Sequence, residues 1–293
     1  MTSSPSIQWY PGHIAKAEKA LTEQLKRVDV VLEVRDARIP LATCHPQIDQ
    51  WLGSRGKVLV LNRQDMISTE VQQVWTDWFK AQTKQPYFTD AQHGKGVAEV
   101  AKAARSAGVA MNQRRRDRGL KPRPVRAVVI GFPNVGKSAL INRLLKRRVA
   151  ESARRPGVTR QLRWIRLSDQ LELLDAPGVL PAHLKDQSAA IKLAICDDIG
   201  TAAYDNQRVA AQFVDLVRQL QQRSPYLMPQ RIFETRYSLA ADKMSGESYL
   251  AALAEVQHQG DAERTARRVL TDFRKGDLGT LALELPPCHL QTS

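Results

Sequence analysis

Apolar residues along this chain come first in short runs and later in long stripes. Val30-Val31-Leu32-Glu33-Val34, Val58-Leu59-Val60-Leu61 and Val125-Arg126-Ala127-Val128-Val129-Ile130 are runs of strand length, rich in β-branched residues. Pro86-Tyr87-Phe88-Thr89 is a shorter one. Leu162–Leu167 and Leu171–Leu174 form a further pair. Between the runs the period changes to that of a helix: Ile14, Leu21, Leu25 and Val28 share a face, residues 68–82 and a stretch from about Val97 follow suit, and so does Ala139–Leu145. Strands alternating with helices predict a mostly parallel sheet covered on both faces, an α/β fold. From about Pro181 only helical periods remain. Val209, Phe213, Leu216 and Leu220 make one stripe; Ala266, Val269, Leu270 and Phe273 make another, with Asp261 placed to cap its start and Gly276 its end. The pattern divides the chain into an α/β domain over 1–181 and an all-α domain over 182–293. The segment 111–124, with Gly119, Pro122 and Pro124, is expected to be a linker.

Charge changes this picture. The 293 residues carry a net +14. Residues 101–170 hold 19 Lys and Arg against 3 Asp and Glu, a net of +16, whereas the rest holds 25 against 27. A concentrated basic block, including Arg114-Arg115-Arg116, Arg147-Arg148 and Arg154-Arg155, points to a polyanion rather than to a merely solvated face. Aromatic residues are sparse within it, which favours structured RNA held through its phosphates over stacked single strands. No apolar run approaches the length of a membrane span, and residues 1–12 lack a secretory apolar core. The cysteines, Cys44, Cys196 and Cys288, are too scattered for a zinc knuckle or a disulfide framework. A cytoplasmic protein without membrane contact is expected.

The chemistry centres on Gly131-Phe132-Pro133-Asn134-Val135-Gly136-Lys137-Ser138, which fits G-x-x-x-x-G-K-[ST] between a strand and a helix. Backbone N–H groups over Asn134 to Ala139 can surround phosphate oxygens, Lys137 can reach the β- and γ-phosphates, and the Ser138 hydroxyl can hold Mg²⁺. Downstream, Asp175-Ala176-Pro177-Gly178 ends a strand: Asp175 suits the Mg²⁺ shell and the Gly178 N–H the γ-phosphate. Thr159, in the loop between, can complete the Mg²⁺ shell. Upstream, Asn62-Arg63-Gln64-Asp65 is similar to N-K-x-D. A carboxylate at Asp65 accepts from both donors on the guanine edge, and adenine lacks that donor pair. Asp90-Ala91 stands where guanine enzymes carry Ser-Ala, whose backbone meets guanine O6. Arg63 and Asp90 depart from the usual Lys and Ser.

The guanine motifs precede the phosphate motifs, the reverse of the Ras order, so a circularly permuted Ras-like sheet is predicted. In this order the strand end at Asp175–Gly178 leads straight into the helical domain. The permuted order, Trp9-Tyr10-Pro11-Gly12-His13, Asp36-Ala37-Arg38-Ile39-Pro40, Gly131–Ser138 and Phe273-Arg274-Lys275-Gly276 together closely resemble the YlqF/RbgA family of circularly permuted GTPases that assist assembly of the large ribosomal subunit. The resemblance implies GTP and GDP as ligands, with Mg²⁺, an RNA-binding C-terminal domain, and the large ribosomal subunit and its rRNA as partners of a monomer. It also implies that Asn134 helps bind K⁺. Val179 follows Gly178, where Ras has its water-orienting Gln, and Val cannot orient water. The resemblance implies that His13 takes that part; the residues alone favour a turn residue near a helix start, or an RNA contact. The function expected is hydrolysis coupled to release from an immature subunit. The alternatives are an RNA-binding assembly factor for which nucleotide only stabilises the fold, and a small-subunit assembly GTPase of another permuted family. The latter typically carries a cysteine-rich zinc module that three scattered cysteines cannot build.

Overall fold

The computed structural model describes residues 23, 25–53, 55–145, 163–175, 186–199 and 204–287. Among these residues six strands form one sheet: β1 (Val30–Asp36), β2 (Gly56–Asn62), β3 (Pro86–Thr89), β4 (Val125–Ile130), β5 (Arg163–Ser168) and β6 (Leu171–Asp175). Their order is β3-β2-β1-β4-β6-β5. All neighbours are parallel except β5, which forms an antiparallel hairpin with β6.

The short apolar runs become strands because both faces of a parallel sheet are covered. β1 is buried along its whole length. That burial extends to charged residues, so they are paired within the strand layer. Glu33 accepts from Arg35 Nε at 2.6 Å and lies 2.7 Å from Lys57 Nζ. One core layer gathers Leu25, Val28, Val31, Ile48, Leu52, Val128, Ile130 and Leu174, with Trp51 packed at its side. Among the described residues the helices before the C-terminal region are α1 (Ile48–Leu52), α2 (Thr69–Ala81), α3 (Val97–Ala107), α4 (Val109–Asp117) and α5 (Lys137–Leu145).

α4 corrects the expectation of a linker over 111–124. The chain stays helical to Asp117, so Arg114, Arg115 and Arg116 sit on its last turns. Met, Gln and Arg are good helix formers, and their preference prevails until Gly119 takes φ +71° and the Pro122 and Pro124 positions prevent resumption.

Chain contacts define two compact units, one of residues 10–64 and 79–183 and the other of 1–9, 65–78 and 184–293. The second is helical, with α6 (Gln187–Cys196), α7 (Asn206–Arg223), α8 (Ile232–Tyr237), α9 (Gly246–His258) and α10 (Ala262–Lys275). Asp186, Asp205, Ser245 and Asp261 cap α6, α7, α9 and α10 through their side chains. Gly276 ends α10 at φ +85°, as its position predicts. The core of this unit is aromatic: Phe213 lies 5.8 Å from Phe233 and 4.9 Å from Phe273, and Phe233 lies 5.4 Å from Tyr249. Val209, Phe213 and Leu220 of the expected stripe are buried, Leu216 is half-buried, and Val217 takes the inner position. No helix among the described residues is long and apolar enough to cross a membrane.

Candidate nucleotide site

The ends of β1, β2, β3 and β4 converge on the loop 131–136. Two glycines make its path possible. A Cβ on Gly131 would lie 2.1 Å from the Val34 carbonyl oxygen, and one on Gly136 2.1 Å from Asn62 Nδ2. Gly136 also takes φ +98°, a conformation open mainly to glycine. Asn134 adopts the left-handed region at φ +59°, which Asn tolerates better than most residues. Lys137 is buried at the first turn of α5 and donates to the Phe132 carbonyl at 2.7 Å. Ser138 and Ala139 follow in the same turn and are half-buried. The loop therefore offers a lysine, a helix N-terminus and a surface from which side chains are sterically excluded. These are the features a polyphosphate requires.

Asn62 ties this loop to the two upstream segments. It is the last residue of β2 and is 3% exposed. Its Nδ2 donates to the Val135 carbonyl at 2.8 Å, and its Oδ1 accepts from Thr89 Oγ1 and from the Ala91 N–H, each at 3.0 Å. The amide thus has one arm on the phosphate loop and one on the segment after β3. The Ala91 N–H is engaged with Asn62, so any contact of it with guanine would be shared.

Arg63 takes φ +67° and donates to the Asn134 carbonyl at 2.6 Å. It also stands 3.5 Å from Asp36, whose carboxylate is fully buried. Arg38, equally buried, forks onto that carboxylate through Nε at 3.0 Å and Nη2 at 2.7 Å. Burial alone would raise the Asp36 pKa; Arg38 first and Arg63 second outweigh it and hold the group below the usual carboxylate range. Gln64 is buried and donates to the carbonyls of Phe88, at 3.5 Å, and Lys95, at 3.3 Å. Asp65, in the 3₁₀ turn Gln64–Met66, is exposed.

Asp90 explains its own departure from Ser. Its Oδ1 accepts from the N–H groups of Gln92 and His93 at 3.0 Å each, an Asx turn that a serine hydroxyl would imitate more weakly. Its Oδ2 lies 2.6 Å from His93 Nδ1. Burial pushes the Asp90 pKa up, and the His93 backbone and side-chain contacts more than reverse this.

Asp175 ends β6 beside β4, in register with Val129. His13, Thr159, Gly178 and Val179 lie outside the described residues. Sequence reasoning missed Asp36 and Arg38 as an inner support of the site, although their spacing in Asp36-Ala37-Arg38 was visible. The loop residues fit the phosphates of a nucleotide, with a steric cradle, a lysine and a helix N-terminus.

A phosphate loop after β4, with the Asn62 strand ahead of it in the chain, defines a circularly permuted P-loop GTPase fold. The profile of the family described as "50S ribosome-binding GTPase" matches residues 126–229. The protein is similar to "Ribosome biogenesis GTPase A" of Priestia megaterium, with 36% identity over 287 residues, 96% of this chain and 97% of that one. It shares 35% identity over 288 residues with the Bacillus cereus protein of the same name, covering 96% and 94%. The chain belongs to the ribosome biogenesis GTPase A family, YlqF/RbgA. Its fold is similar to GDP-bound YlqF, with a TM-score of 0.63 and 22% identity over 91% of this chain and 99% of that one. It is also similar to GNP-bound YlqF from T. maritima, with a TM-score of 0.62 and 22% identity over 93% and 99%.

Proposed function

We propose that this GTPase of ribosome biogenesis binds an immature large ribosomal subunit in its GTP state and leaves when GTP is hydrolysed. The observation that carries the nucleotide half is the Asn62 junction, which ties the phosphate loop to the segment after β3. The large subunit enters through the 50S-binding description of the matched family and through the basic helix α4.

In this proposal Lys137 and the N–H groups from Asn134 to Ala139 hold the phosphates, and Asp65 selects guanine, aided by Asn62, Gln64, Asp90 and Ala91. Arg63 clamps the loop from the side. Mg²⁺, held by Ser138, Thr159 and Asp175, would offset charge on the phosphates, and K⁺ at Asn134 would add to it. The Gly178 N–H senses the γ-phosphate. Val179 brings no polar group, so His13 is assigned the orientation of the attacking water. The helical domain after residue 182 is assigned to RNA.

Cosedimentation with separated ribosomal subunits tests the proposal. Binding to the large subunit is expected with a non-hydrolysable GTP analogue and to be weaker with GDP. Equal binding in both states would favour an RNA-binding factor that nucleotide merely stabilises.

A further inference from the structure

A second basic site lies at the other end of the same strands. The nucleotide loop follows the last residue of β4, whereas Arg126 is its second residue. Glu172, the second residue of β6, pairs in register with Arg126 on one side and with Arg166 of β5 on the other. Residues in register on adjacent strands project to the same side of a sheet, so the three side chains form a row, Arg-Glu-Arg. Arg27 is brought beside the row by its near neighbour Asp29, whose N–H donates to the Arg126 carbonyl at 2.8 Å while its Oδ2 accepts from the Arg126 N–H at 2.9 Å. Arg27, Arg126, Arg166 and Glu172 line a cavity of about 340 Å³.

The charges in this cavity do not balance. Three guanidiniums face one carboxylate, and Glu172 is engaged with Arg126 Nε at 3.3 Å. The nearby Asp29 is occupied by Arg123, which forks onto it at 2.7 and 2.9 Å. Asp169 lies 2.9 Å from Arg166 but is 96% exposed, where such a pair is worth little. The described lining residues thus carry a formal charge of +2. A planar guanidinium is suited to phosphate oxygens.

The surroundings indicate which phosphate. Asn112 of α4 holds Arg123 by two hydrogen bonds, from its Nδ2 to the carbonyl at 3.0 Å and to its Oδ1 from the N–H at 3.1 Å. Those two hydrogen bonds hold the helix bearing Arg114, Arg115 and Arg116 at the same end of the sheet. Arg126 alternates with Val125, against which Gly108 at the start of α4 packs, so only a polyanion long enough to round this end of the sheet can touch both the cavity and α4. We infer that the cavity lined by Arg27, Arg126 and Arg166 seats a backbone phosphate of a structured RNA that also reaches α4. This rests on the proposal that the protein binds ribosomal RNA.

The test is binding of the full-length protein to purified large-subunit ribosomal RNA across a KCl series. Each phosphate contact contributes about 1 to the slope of log affinity against log salt. The triple variant Arg27→Gln, Arg126→Gln, Arg166→Gln is expected to flatten the slope by about 2 to 3 and to weaken binding at least tenfold at physiological salt. Arg27→Gln alone, outside the sheet, is expected to flatten it by about 1, and thermal melting checks that each variant is folded. An unchanged slope in the folded triple variant, with a flatter one in Arg114→Gln, Arg115→Gln, Arg116→Gln, would overturn the cavity assignment and leave RNA binding intact. That pattern would assign the cavity to another partner, such as an acidic protein. Failure of the unaltered protein to bind the RNA would instead refute the underlying proposal.

Discussion

Asn62→Ala is the sharpest perturbation of the nucleotide site that leaves every phosphate-contacting residue in place. The substitution removes three hydrogen bonds at once. It leaves the Val135 carbonyl, the Thr89 hydroxyl and the Ala91 N–H buried beside an empty volume. An orphaned buried polar group costs about 1–3 kcal/mol. Taking the lower bound for each, the α/β unit should lose at least about 3 kcal/mol, which for a unit of this size corresponds to a melting decrease of at least about 6 °C. The same change frees the loop at Val135 and Gly136, so GTP affinity should fall at least tenfold, about 1.4 kcal/mol. Asn62→Asp separates bonding from volume. It preserves shape and both accepted bonds but turns an acceptor toward the Val135 carbonyl, so it too should melt early and bind GTP weakly. Thermal melting, with and without GTP, and nucleotide titration measure both effects. If Asn62→Ala melted within about 2 °C of the unaltered protein and bound GTP equally well, or if Asn62→Asp were indistinguishable from Asn, the bridging account would fail.

Other outcomes are specific to single residues. Asp65→Asn should weaken GTP binding by about 1–3 kcal/mol, because an amine would face guanine donors; competition by ATP and xanthosine triphosphate measures it, and equal affinity of the unaltered protein for ATP would refute guanine selection. Asp90 has a folded pKa below its ordinary value of 3.8, so its carboxylate stabilises the fold above that pH and the contribution disappears as the pH falls through the lowered value. Acid titration should therefore show the difference between the protein and Asp90→Asn shrinking below about pH 4; a difference independent of pH would mean that the charge is immaterial. Hydrolysis should run faster in KCl than in NaCl at equal ionic strength, and Asn134→Ala should abolish the difference; equal rates in the two salts would remove K⁺ from the account.

The sheet was legible because buried parallel strands are continuous apolar runs, and β1, β2 and β4 need little else to be recognised. The phosphate loop was legible because its two glycines answer to steric demands, contact with the Val34 carbonyl and with Asn62, that no other residue meets. What stayed hidden was burial of charge. Asp36, Arg38, Glu33 and Arg35 look like a polar stretch, and only three-dimensional pairing makes their burial affordable. α4 was hidden for a different reason: Gly119, Pro122 and Pro124 signal a break, but the break begins after the arginines rather than before them. Short α1 has no periodic pattern to announce it, since a single turn is formed by packing of Ile48 and Leu52 into the core. At the site, the motif predicted Asn62 as a nucleotide residue, whereas its three partners, in the phosphate loop and at the end of β3, are distant in sequence.

The central claim is that hydrolysis is coupled to the ribosome, and single-turnover GTP hydrolysis with and without purified large subunits tests it most directly. Val179 cannot orient water, so the free protein should hydrolyse slowly. Large subunits should raise the rate by about 10²–10⁴-fold, the range for a positioned general base, and His13→Ala should lose most of that gain while keeping GTP affinity and staying longer on the subunit. A rate unaffected by large subunits would contradict the account, and a His13→Ala rate restored by saturating subunit would make His13 an RNA contact.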